Sequence, residues 1–352
     1  MYKRGIESNI FKEFKITIDG IELTQGQIIS LKINWDMEHM KVMGELVMLD
    51  PSDLVEENPL RGNNLIIMNI IDYDDVLFFH KFKVVKVRYK RTQEGDYSVV
   101  LEFLDLITLE HIKTHRPKSW ASINIRDIIE DNEVTSGHMN EKRHIYTPKK
   151  LFAYKNFIIP TNNNLNSVLK WLANDNNLYF FQSRDTIYLE YLAFFLARPP
   201  KKAPYIYKTN NIYYRENVYE FEANQGDILN KSIYQANSNL NSIAKGKNII
   251  TSKLVNSDTL GSKEYYIPTK NKAYIDYIIK INRYKNNKLE ILVPGQFSNN
   301  IGDRVIIDFV NLFRSVGPEK NLNGYWLIKE IVDLFLIPDY VQKLTLVRSK
   351  YN

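Results

Sequence analysis

The chain contains no cysteine among its 352 residues. This absence excludes disulfides, iron–sulfur clusters, thiolate zinc sites and cysteine nucleophiles, so packing alone must stabilise the fold. Long apolar runs are missing as well, since the longest, Tyr191 to Ala197, is far shorter than the roughly 18 residues of a membrane span. Residues 1–10 lack the apolar core of a Sec-type signal, which predicts that any export uses another route.

Motifs that cradle phosphates or present a nucleophile are also missing. Gly-x-Gly-x-x-Gly, the Walker pattern and Gly-x-Ser-x-Gly do not occur. Glycine is scarce at 14 residues and is outnumbered by Tyr at 23 and Phe at 17, which favours β structure with aromatic packing. Hydrophobic residues at 44% and charged residues at 25% indicate a folded globular chain of two or three domains.

The charge balance is mildly basic. The net charge is +6 and the pI is about 9.0, with a slight acidic excess in residues 1–150 and the basic excess in residues 151–352. Nucleic-acid binders usually cluster their charge more strongly, so a nucleic-acid-binding module is a minor alternative. Such an asymmetry can orient subunits or neighbouring rings, and it is equally compatible with chance.

Apolar residues alternate with polar ones through the first hundred residues, which predicts strands. Asp19-Gly20 predicts a hairpin turn, and a change of phase between Val84 and Val85 predicts a β-bulge. Many short strands, each with one polar face, favour an antiparallel barrel or sandwich.

The middle of the chain has a different pattern. Ser122 is predicted to cap a short helix that carries Ile125, Ile128 and Ile129. A longer helix is predicted from apolar residues at helical spacing: Leu165, Val168, Leu169, Leu172 and Ala173. A hairpin follows, with strands at Tyr179–Gln182 and Ile187–Tyr191 around a Ser-Arg-Asp turn.

Paired prolines in the segment Arg198–Lys202 indicate a boundary. The sequence therefore predicts a mainly β chain with an α+β insertion. Its parts are a β region at 1–112, an α+β domain at 113–205 and a second β region at 206–352, with a loop or small excursion near 237–275.

The two β regions share an internal repeat. The first copy runs through Gly62–Ile67, Phe82–Val87 and Tyr97–Phe103, and the second through Gly302–Ile307, Trp326–Ile331 and Tyr340–Leu346. In both copies a glycine precedes a strand, an aromatic residue opens the next, and a tyrosine lies four residues before a leucine. The alternative is that two sets of amphipathic strands look alike. A true duplication implies that n subunits present 2n similar modules around an axis.

Few side chains suggest chemistry. His111 and His115 could share one face of a helix around a zinc ion, but the H-E-x-x-H order is absent and no third ligand is indicated. Asp72, Asp74 and Asp75 resemble the start of a calcium loop, although its glycine and closing glutamate are missing, so a polar turn is favoured. His138 and His144 are interpreted as loop residues.

Adjacent acids at Glu56-Glu57 give weak support to glycoside hydrolysis. A basic ribbon comprises Lys81, Lys83, Lys86, Arg88, Lys90 and Arg91. Because apolar residues interrupt it, the ribbon is interpreted as the polar face of a strand pair rather than a nucleic-acid site. The sequence thus indicates no catalytic, cofactor-binding or metal-binding residue and no cofactor.

Several segments, taken in order, resemble baseplate hub proteins of contractile-tailed bacteriophages, which are related to the hub part of type VI secretion spike proteins. The segments are Phe103–Ile107, His115–Trp120, Asp127–Ile129, Asn164–Leu172, Tyr179–Arg184, Val293–Gly295, Ile301–Asp303, Gly324–Trp326 and Leu344–Arg348. Each motif alone is weak, but their order and spacing extend over roughly residues 10–350. The stretch near 237–263 matches poorly.

The resemblance implies two tube-like antiparallel β-barrel domains per chain, at 1–112 and 206–352. It implies a homotrimeric ring of pseudo-sixfold symmetry between the hexameric tail tube and a trimeric central spike. Inner baseplate (wedge) proteins would surround the ring, and the tape-measure protein and DNA would pass through its channel. The spike is expected to be a separate chain, because no spike repeat follows Asn352.

The resemblance also implies a structural virion protein that is made in the host cytoplasm, without enzymatic activity or a membrane anchor. Candidate contact strands lie around Leu65–Ile71, Phe82–Tyr89 and Val305–Phe309. Two alternatives remain: a tail-associated cell-wall hydrolase and the hub of a non-phage contractile injection system.

Overall fold

The computed structural model describes residues 11–49, 60, 62–72, 74–91, 97–113, 115, 117–131, 144–148, 153–161, 163–176, 178–201, 203–207, 216–225, 232–237, 242–247, 251–256, 264–268, 287–309, 322–337 and 339–348. These residues are mainly strands, with four short α-helices among them. The fold class predicted from the sequence, mainly β with an α+β insertion, is confirmed.

The first β region contains seven strands in the part of it that the structure describes. They are β1 (Phe11–Ile18), β2 (Ile21–Leu23), β3 (Ile28–Asp36), β4 (His39–Leu49), β5 (Leu65–Asp72), β6 (Leu77–Arg91) and β7 (Tyr97–Asp105). All neighbours pair antiparallel in the order β3-β4-β7-β6-β5-β1-β2. The predicted Asp19-Gly20 turn joins β1 to β2, with both residues at positive φ, as a tight two-residue hairpin requires.

All four α-helices among the described residues lie between β7 and the last β region. They are α1 (Leu106–Lys113), α2 (Ile125–Glu130), α3 (Leu165–Asp175) and α4 (Leu192–Ala197). The strands of this middle region are β8 (Lys118–Asn124), β9 (His144–Tyr146), β10 (Ala153–Ile159), β11 (Leu178–Ser183) and β12 (Thr186–Tyr191). The predicted helix α3 and the predicted β11–β12 hairpin are confirmed.

Ser122 does not cap the first predicted helix. It lies within β8, paired with Lys155 of β10, and Asn124 is the cap of α2. The Asn124 Oδ1 accepts a hydrogen bond of 3.0 Å from the Asp127 backbone N–H, and the Asp127 carboxylate accepts one in return from the Asn124 N–H. The helix can begin only where the β8–β10 ladder ends, which moves its start two residues along the chain.

The last region contains eleven strands among the described residues. They are β13 (Tyr205–Tyr207), β14 (Asn217–Val218), β15 (Glu220–Gln225), β16 (Ser232–Asn237), β17 (Ser242–Lys247), β18 (Thr251–Asn256), β19 (Glu264–Pro268), β20 (Asn287–Pro294), β21 (Arg304–Asp308), β22 (Gly324–Leu336) and β23 (Asp339–Val347). The predicted excursion contains a separate four-stranded sheet, β16 to β19, that begins before residue 237.

The second β region closes on itself. Its antiparallel neighbours follow the order β15-β20-β23-β22-β21, and β21 continues into the parallel pair β13 and β14. Only Tyr219 separates β14 from β15, and its backbone N–H donates a hydrogen bond of 2.8 Å to the carbonyl oxygen of Leu292 in β20. The strand path therefore returns to its start, as in a barrel.

The two β regions have the same strand order over five strands. The path β3-β4-β7-β6-β5 in the first corresponds to β15-β20-β23-β22-β21 in the second, and every neighbouring pair is antiparallel in both. The order departs beyond these five, because β1 is antiparallel to β5 whereas β13 is parallel to β21.

Each copy contains one shift of register in the ladder between its two repeated strands, and matching these shifts aligns the two copies residue by residue. The β6–β7 register shifts between Val84 and Lys86, and the β22–β23 register shifts between Ile328 and Glu330. The first shift is the predicted β-bulge. Both shifts fall two residues after the aromatic residue, Phe82 or Trp326, that opens the repeated strand. A bulge at the same place in both copies is a feature that ordinary amphipathic strands do not share by default.

The turn that precedes each repeated strand also matches. Asn63 and Gly302 both have a positive φ, at 94° and 83°. The Asn63 N–H donates to the Val84 carbonyl at 2.6 Å, and the Gly302 N–H donates to the Ile328 carbonyl at 2.9 Å. The counterpart of Gly302 is therefore Asn63 and not Gly62, so this part of the sequence alignment shifts by one residue.

The two β regions form one continuous sheet. Strand β22 pairs antiparallel with β3, from Glu330 opposite Asp36 to Phe335 opposite Leu31. Buried side chains from both regions consequently form a single core. The domain boundaries at residues 112 and 205 stay predictions.

A second, smaller core lies in the middle region, around α2, α3 and the hairpin. All six residues of β11 are buried because the strand lies between both cores. Phe181 packs on the β regions, whereas Phe180 packs towards the helices. The hairpin thus fixes the middle region onto the sheet.

Candidate assembly surface

The candidate zinc histidines are not arranged as a site. His111 lies inside α1 and is buried, whereas His115 lies beyond the end of that helix and is exposed. Among the described residues, no group of three or more potential metal-ligating side chains occurs. The interpretation of His144 as a loop residue is wrong, since it begins β9 and pairs with Thr186 of β12. His138 and the Glu56-Glu57 pair lie outside the described residues.

The Asp72 to Asp75 segment forms the predicted polar turn. The Asp72 Oδ1 accepts hydrogen bonds of 2.9 Å from the backbone N–H groups of Asp74 and Val76. Asp75 has a φ of 63° and lies 2.6 Å from the Lys12 ammonium. The carboxylate of Asp72 is therefore used by the turn itself.

For the described side chains of the basic ribbon, Lys81 to Arg88, the structure agrees with the simpler interpretation, the polar face of a strand pair. The Arg88 guanidinium lies 2.9 Å from Glu45 and 2.7 Å from Glu102, and Lys86 lies 3.9 Å from Glu102. These acids belong to β4 and β7, so the ribbon's charge is partly compensated across neighbouring strands.

A buried ion pair connects the middle region to the sheet. Arg184 lies in the turn between β11 and β12, and its Nη1 and Nη2 donate to the two carboxylate oxygens of Asp333 at 2.7 and 3.1 Å. Asp333 is completely buried in β22. The Trp35 Nε1 in β3 donates to the same carboxylate at 2.7 Å. The three groups therefore join both β regions and the hairpin at one point.

The surroundings of this pair keep both partners ionised. Burial alone would raise the pKa of Asp333, but the Arg184 guanidinium and hydrogen bonds from Gln342 and Tyr340 hold that pKa below its ordinary value. The Tyr340 hydroxyl donates to Asp333 Oδ1 at 2.8 Å, and burial followed by the Asp333 charge raises the pKa of Tyr340 well above its ordinary value. Tyr340 therefore remains a neutral donor.

Aromatic rings complete this pocket around Arg184. The guanidinium carbon lies 5.0 Å from the Trp35 ring centre, 5.4 Å from that of Phe78 and 5.6 Å from that of Phe297. Sequence reasoning identified the Ser-Arg-Asp turn but gave no role to its arginine. No local signal reveals one, because Asp333 is 149 residues away.

A second polar joint ties the boundary segment to the last β region. The Lys201 ammonium donates to the Asn299 Oδ1 at 2.6 Å and to the Ser298 carbonyl at 2.8 Å. Burial lowers the pKa of Lys201 and raises that of Asp303, whose carboxylate is 3.6 Å from the ammonium. The segment after the paired prolines is thus fixed to the barrel.

Each β region contains a strand, β6 or β15, with an edge that pairs with no strand among the described residues. Among the described residues, β15 pairs on one side only, with β20. Strand β6 pairs with β7 as far as Arg91, but β5 covers its other side only from Leu77 to Lys83. The rest of that side, Lys86 to Arg91, carries no partner strand among the described residues. The predicted contact strand Phe82–Tyr89 overlaps this edge.

Large apolar side chains accompany the edge of β6. Tyr89 is 52% exposed and Val85 is 43% exposed. Leu77 and Phe79, at the other end of the strand, are also exposed. Exposed strand edges with apolar side chains favour pairing with another chain.

The sequence itself matches no family model and no curated protein. Solved structures, in contrast, match over nearly the whole chain. The 43 kDa tail protein of prophage MuSo2 from Shewanella oneidensis has a TM-score of 0.67 at 12% identity, over 96% of this chain and 98% of that one. The chain has the fold of phage tail proteins.

Two further structures support this assignment of the fold. A tail protein from Neisseria meningitidis has a TM-score of 0.64 at 12% identity, over 95% of this chain and 96% of that one. An Escherichia coli type VI secretion component, described as structurally similar to the phage T4 tail proteins gp27 and gp5, has a TM-score of 0.57 at 7% identity. That match covers 96% of this chain and 77% of the other.

None of the helices that the structure describes has the length and apolar character of a membrane span.

Proposed function

We propose that the chain is the structural hub of a phage tail baseplate, active as a homotrimeric ring. The observation that carries the proposal is the repeated five-strand order within a single chain. Three chains with two similar modules each present six modules around one axis, so a threefold ring offers quasi-equivalent surfaces to a sixfold partner. The fold shared with phage tail proteins supports the same conclusion.

The ring would act by adapting symmetry. Its upper face would seat the hexameric tail tube through the six modules, and its lower face would hold a trimeric central spike through the parts that occur three times. The middle region and the sheet β16 to β19 occur once per chain, so they are suited to threefold contacts. The bore would admit the tape-measure protein and DNA, and inner baseplate proteins would contact the outside of the ring.

A second candidate is the hub of a non-phage contractile injection system. The likeness to the type VI secretion component favours it, because that match extends over almost all of this chain. The phage hub and the hub of a non-phage injection system require the same trimeric ring. They differ in the spike that the ring holds and in the particle that contains it.

Cross-linking mass spectrometry of intact particles tests the hub directly. We expect links from this chain to a tube protein on one side and to a spike protein on the other. Links confined to the tail sheath or to the capsid would contradict the proposal. Assays on peptidoglycan with the purified chain address the hydrolase alternative, and we expect no cleavage.

Native mass spectrometry of the purified chain tests the ring. We expect a species of three times the 41.4 kDa chain mass. A chain that stays monomeric at every concentration, or that forms a six-chain species, would contradict a trimeric hub.

A further inference from the structure

The pairing of β22 with β3 joins the two copies within the chain, and its geometry is defined by the neighbouring strands. Strand β23 occupies one side of β22, while β21 and β3 lie end to end along the other side. Strand β21 covers the first part of β22, from Gly324 to Leu327, and β3 covers the part from Glu330 to Phe335. The half of β22 beyond the bulge is thus an acceptor for a strand from the other copy.

The first copy has the same acceptor half without its partner. Strand β6 corresponds to β22, and β5, the counterpart of β21, likewise stops before the bulge, at Lys83. Counting from the shared bulge, Lys86–Arg91 corresponds to Glu330–Phe335. Among the described residues this side of Lys86–Arg91 pairs with no strand.

The second copy has the matching donor strand. Strand β15 corresponds to β3, and the ladders through β20 and β4 place Phe221 at the position of Leu31. Ala223 then corresponds to Ile33, which is fully buried within the chain. Ala223 itself is exposed in the single chain.

We infer that β15 of one subunit pairs antiparallel with β6 of the next, in the register that β3 and β22 adopt within the chain. The inference rests on the proposed trimer and specifies its contact. The paired positions, obtained by transferring the β3–β22 register, are Phe221 with Arg91, Glu222 with Lys90, Ala223 with Tyr89, Asn224 with Arg88 and Gln225 with Val87.

In this register one pair of opposite charges is directly opposed, Glu222 with Lys90. Strand β15 carries Glu220 and Glu222, whereas the acceptor half of β6 carries four basic residues: Lys86, Arg88, Lys90 and Arg91. Opposite charges across a strand pair stabilise it, and like charges destabilise it. An edge rich in basic residues also discourages pairing of two β6 edges with each other, which leaves the acidic strand as the matched partner.

The burial of the corresponding residues in β22 also supports pairing of β15 with β6. Tyr89 and Val87 of β6 correspond to Asp333 and Ile331 of β22, which lie opposite β3 and are both buried. Tyr89 is 52% exposed in the single chain. A second copy's β15 would cover it, as β3 covers its counterpart.

The contact uses different surfaces on the two subunits. Such a head-to-tail contact closes into a ring when each step turns by the right angle. Internal β3–β22 junctions would then alternate with β15–β6 junctions, so all six modules are linked by the same type of strand pairing.

Engineered cysteines test the register, because the natural chain has none. The variant with Asn224→Cys and Arg88→Cys places two thiols at directly opposite positions, within the spacing that a disulfide spans. After oxidation we expect covalent dimers and trimers on a non-reducing denaturing gel. Asn34→Cys with Val332→Cys, the same pair of positions within one chain, is the positive control and should form a disulfide without any larger species.

A pair shifted by one residue, Asn224→Cys with Tyr89→Cys, places the thiols on opposite faces and should not cross-link. If the protein is trimeric by native mass spectrometry but only the shifted pair cross-links, or neither does, the inferred contact is wrong while the ring stands. If the protein is monomeric at every concentration, both the contact and the ring are wrong.

Charge reversal gives an independent readout. Glu222→Lys should raise the trimer dissociation constant about fivefold or more, and adding Lys90→Glu should restore most of the affinity. Equal weakening by both variants, without rescue in the double variant, would contradict the pairing of these two positions.

Discussion

At the scale of single residues, the Arg184–Asp333 pair joins three parts of the chain. Each partner is held by several hydrogen bonds or aromatic rings, and Asp333 has no exposed surface. A buried ion pair of this kind contributes little net stability compared with a well-packed apolar pair, but losing one partner leaves the other charge uncompensated. The pair therefore fixes how three parts of the chain fit together.

Replacing Asp333 with Asn should lower the free energy of unfolding by about 3–5 kcal/mol, because Arg184 stays buried without a counter-charge. The matched control is Asp75→Asn, which removes an exposed ion pair with Lys12 at a left-handed position that Asn tolerates. Urea unfolding measures both. A loss for Asp333→Asn no larger than for the control would show that the pair is not a structural joint.

The same residue should shape the response to acid. Since the folded-state pKa of Asp333 lies below its ordinary value, its stabilising effect is complete above the unfolded-state pKa of roughly 4 and is lost as the pH falls through the folded-state value. Unfolding free energies between about pH 2 and 6 should fall more steeply for the natural chain than for Asp333→Asn. Parallel curves would argue against an ionised Asp333 in the folded state.

At the scale of strands and helices, patterns within a short segment predicted most elements. The pairing of strands that are far apart in the sequence was not predicted. Period-two alternation located β6 and even its bulge, and helical spacing located α3, because each pattern lies within one element. The cap of α2 was misplaced because the end of a strand ladder, and not the sequence near Ser122, decides where that helix begins. The pairing of β3 with β22 joins residues about 300 positions apart, for which the sequence offers only an apolar face.

The packing of β4 between β3 and β7 requires a glycine at position 44. A Cβ there would lie 2.2 Å from the Lys32 carbonyl oxygen in β3 and 2.4 Å from the Phe103 ring in β7. Gly44→Ala should therefore destabilise the first β region by about 1–3 kcal/mol. Gly26→Ala is the control, since nothing lies within 4 Å of its Cβ position. Equal melting temperatures for the two variants would contradict this packing.

At the scale of the whole molecule, the sequence predicted the internal repeat. The resemblance to hub proteins predicted that the repeat gives a trimeric ring its pseudo-sixfold symmetry. The structure adds the shared strand order, the shared bulge and an internal junction whose counterpart edges remain on the surface. The candidate contact strands were only partly predictable: β6 was named, whereas β15 was not, because its short acidic run resembles any exposed strand. Its role becomes visible only through its correspondence with β3.

Cryo-electron microscopy of the assembled ring, viewed down its axis, tests the central claim most directly. We expect three chains that form six similar β lobes around one channel, with density continuous from β15 of each chain to β6 of the next. A ring of three chains with only three such lobes, or an assembly in which the two β regions of a chain lie at different radii, would contradict it.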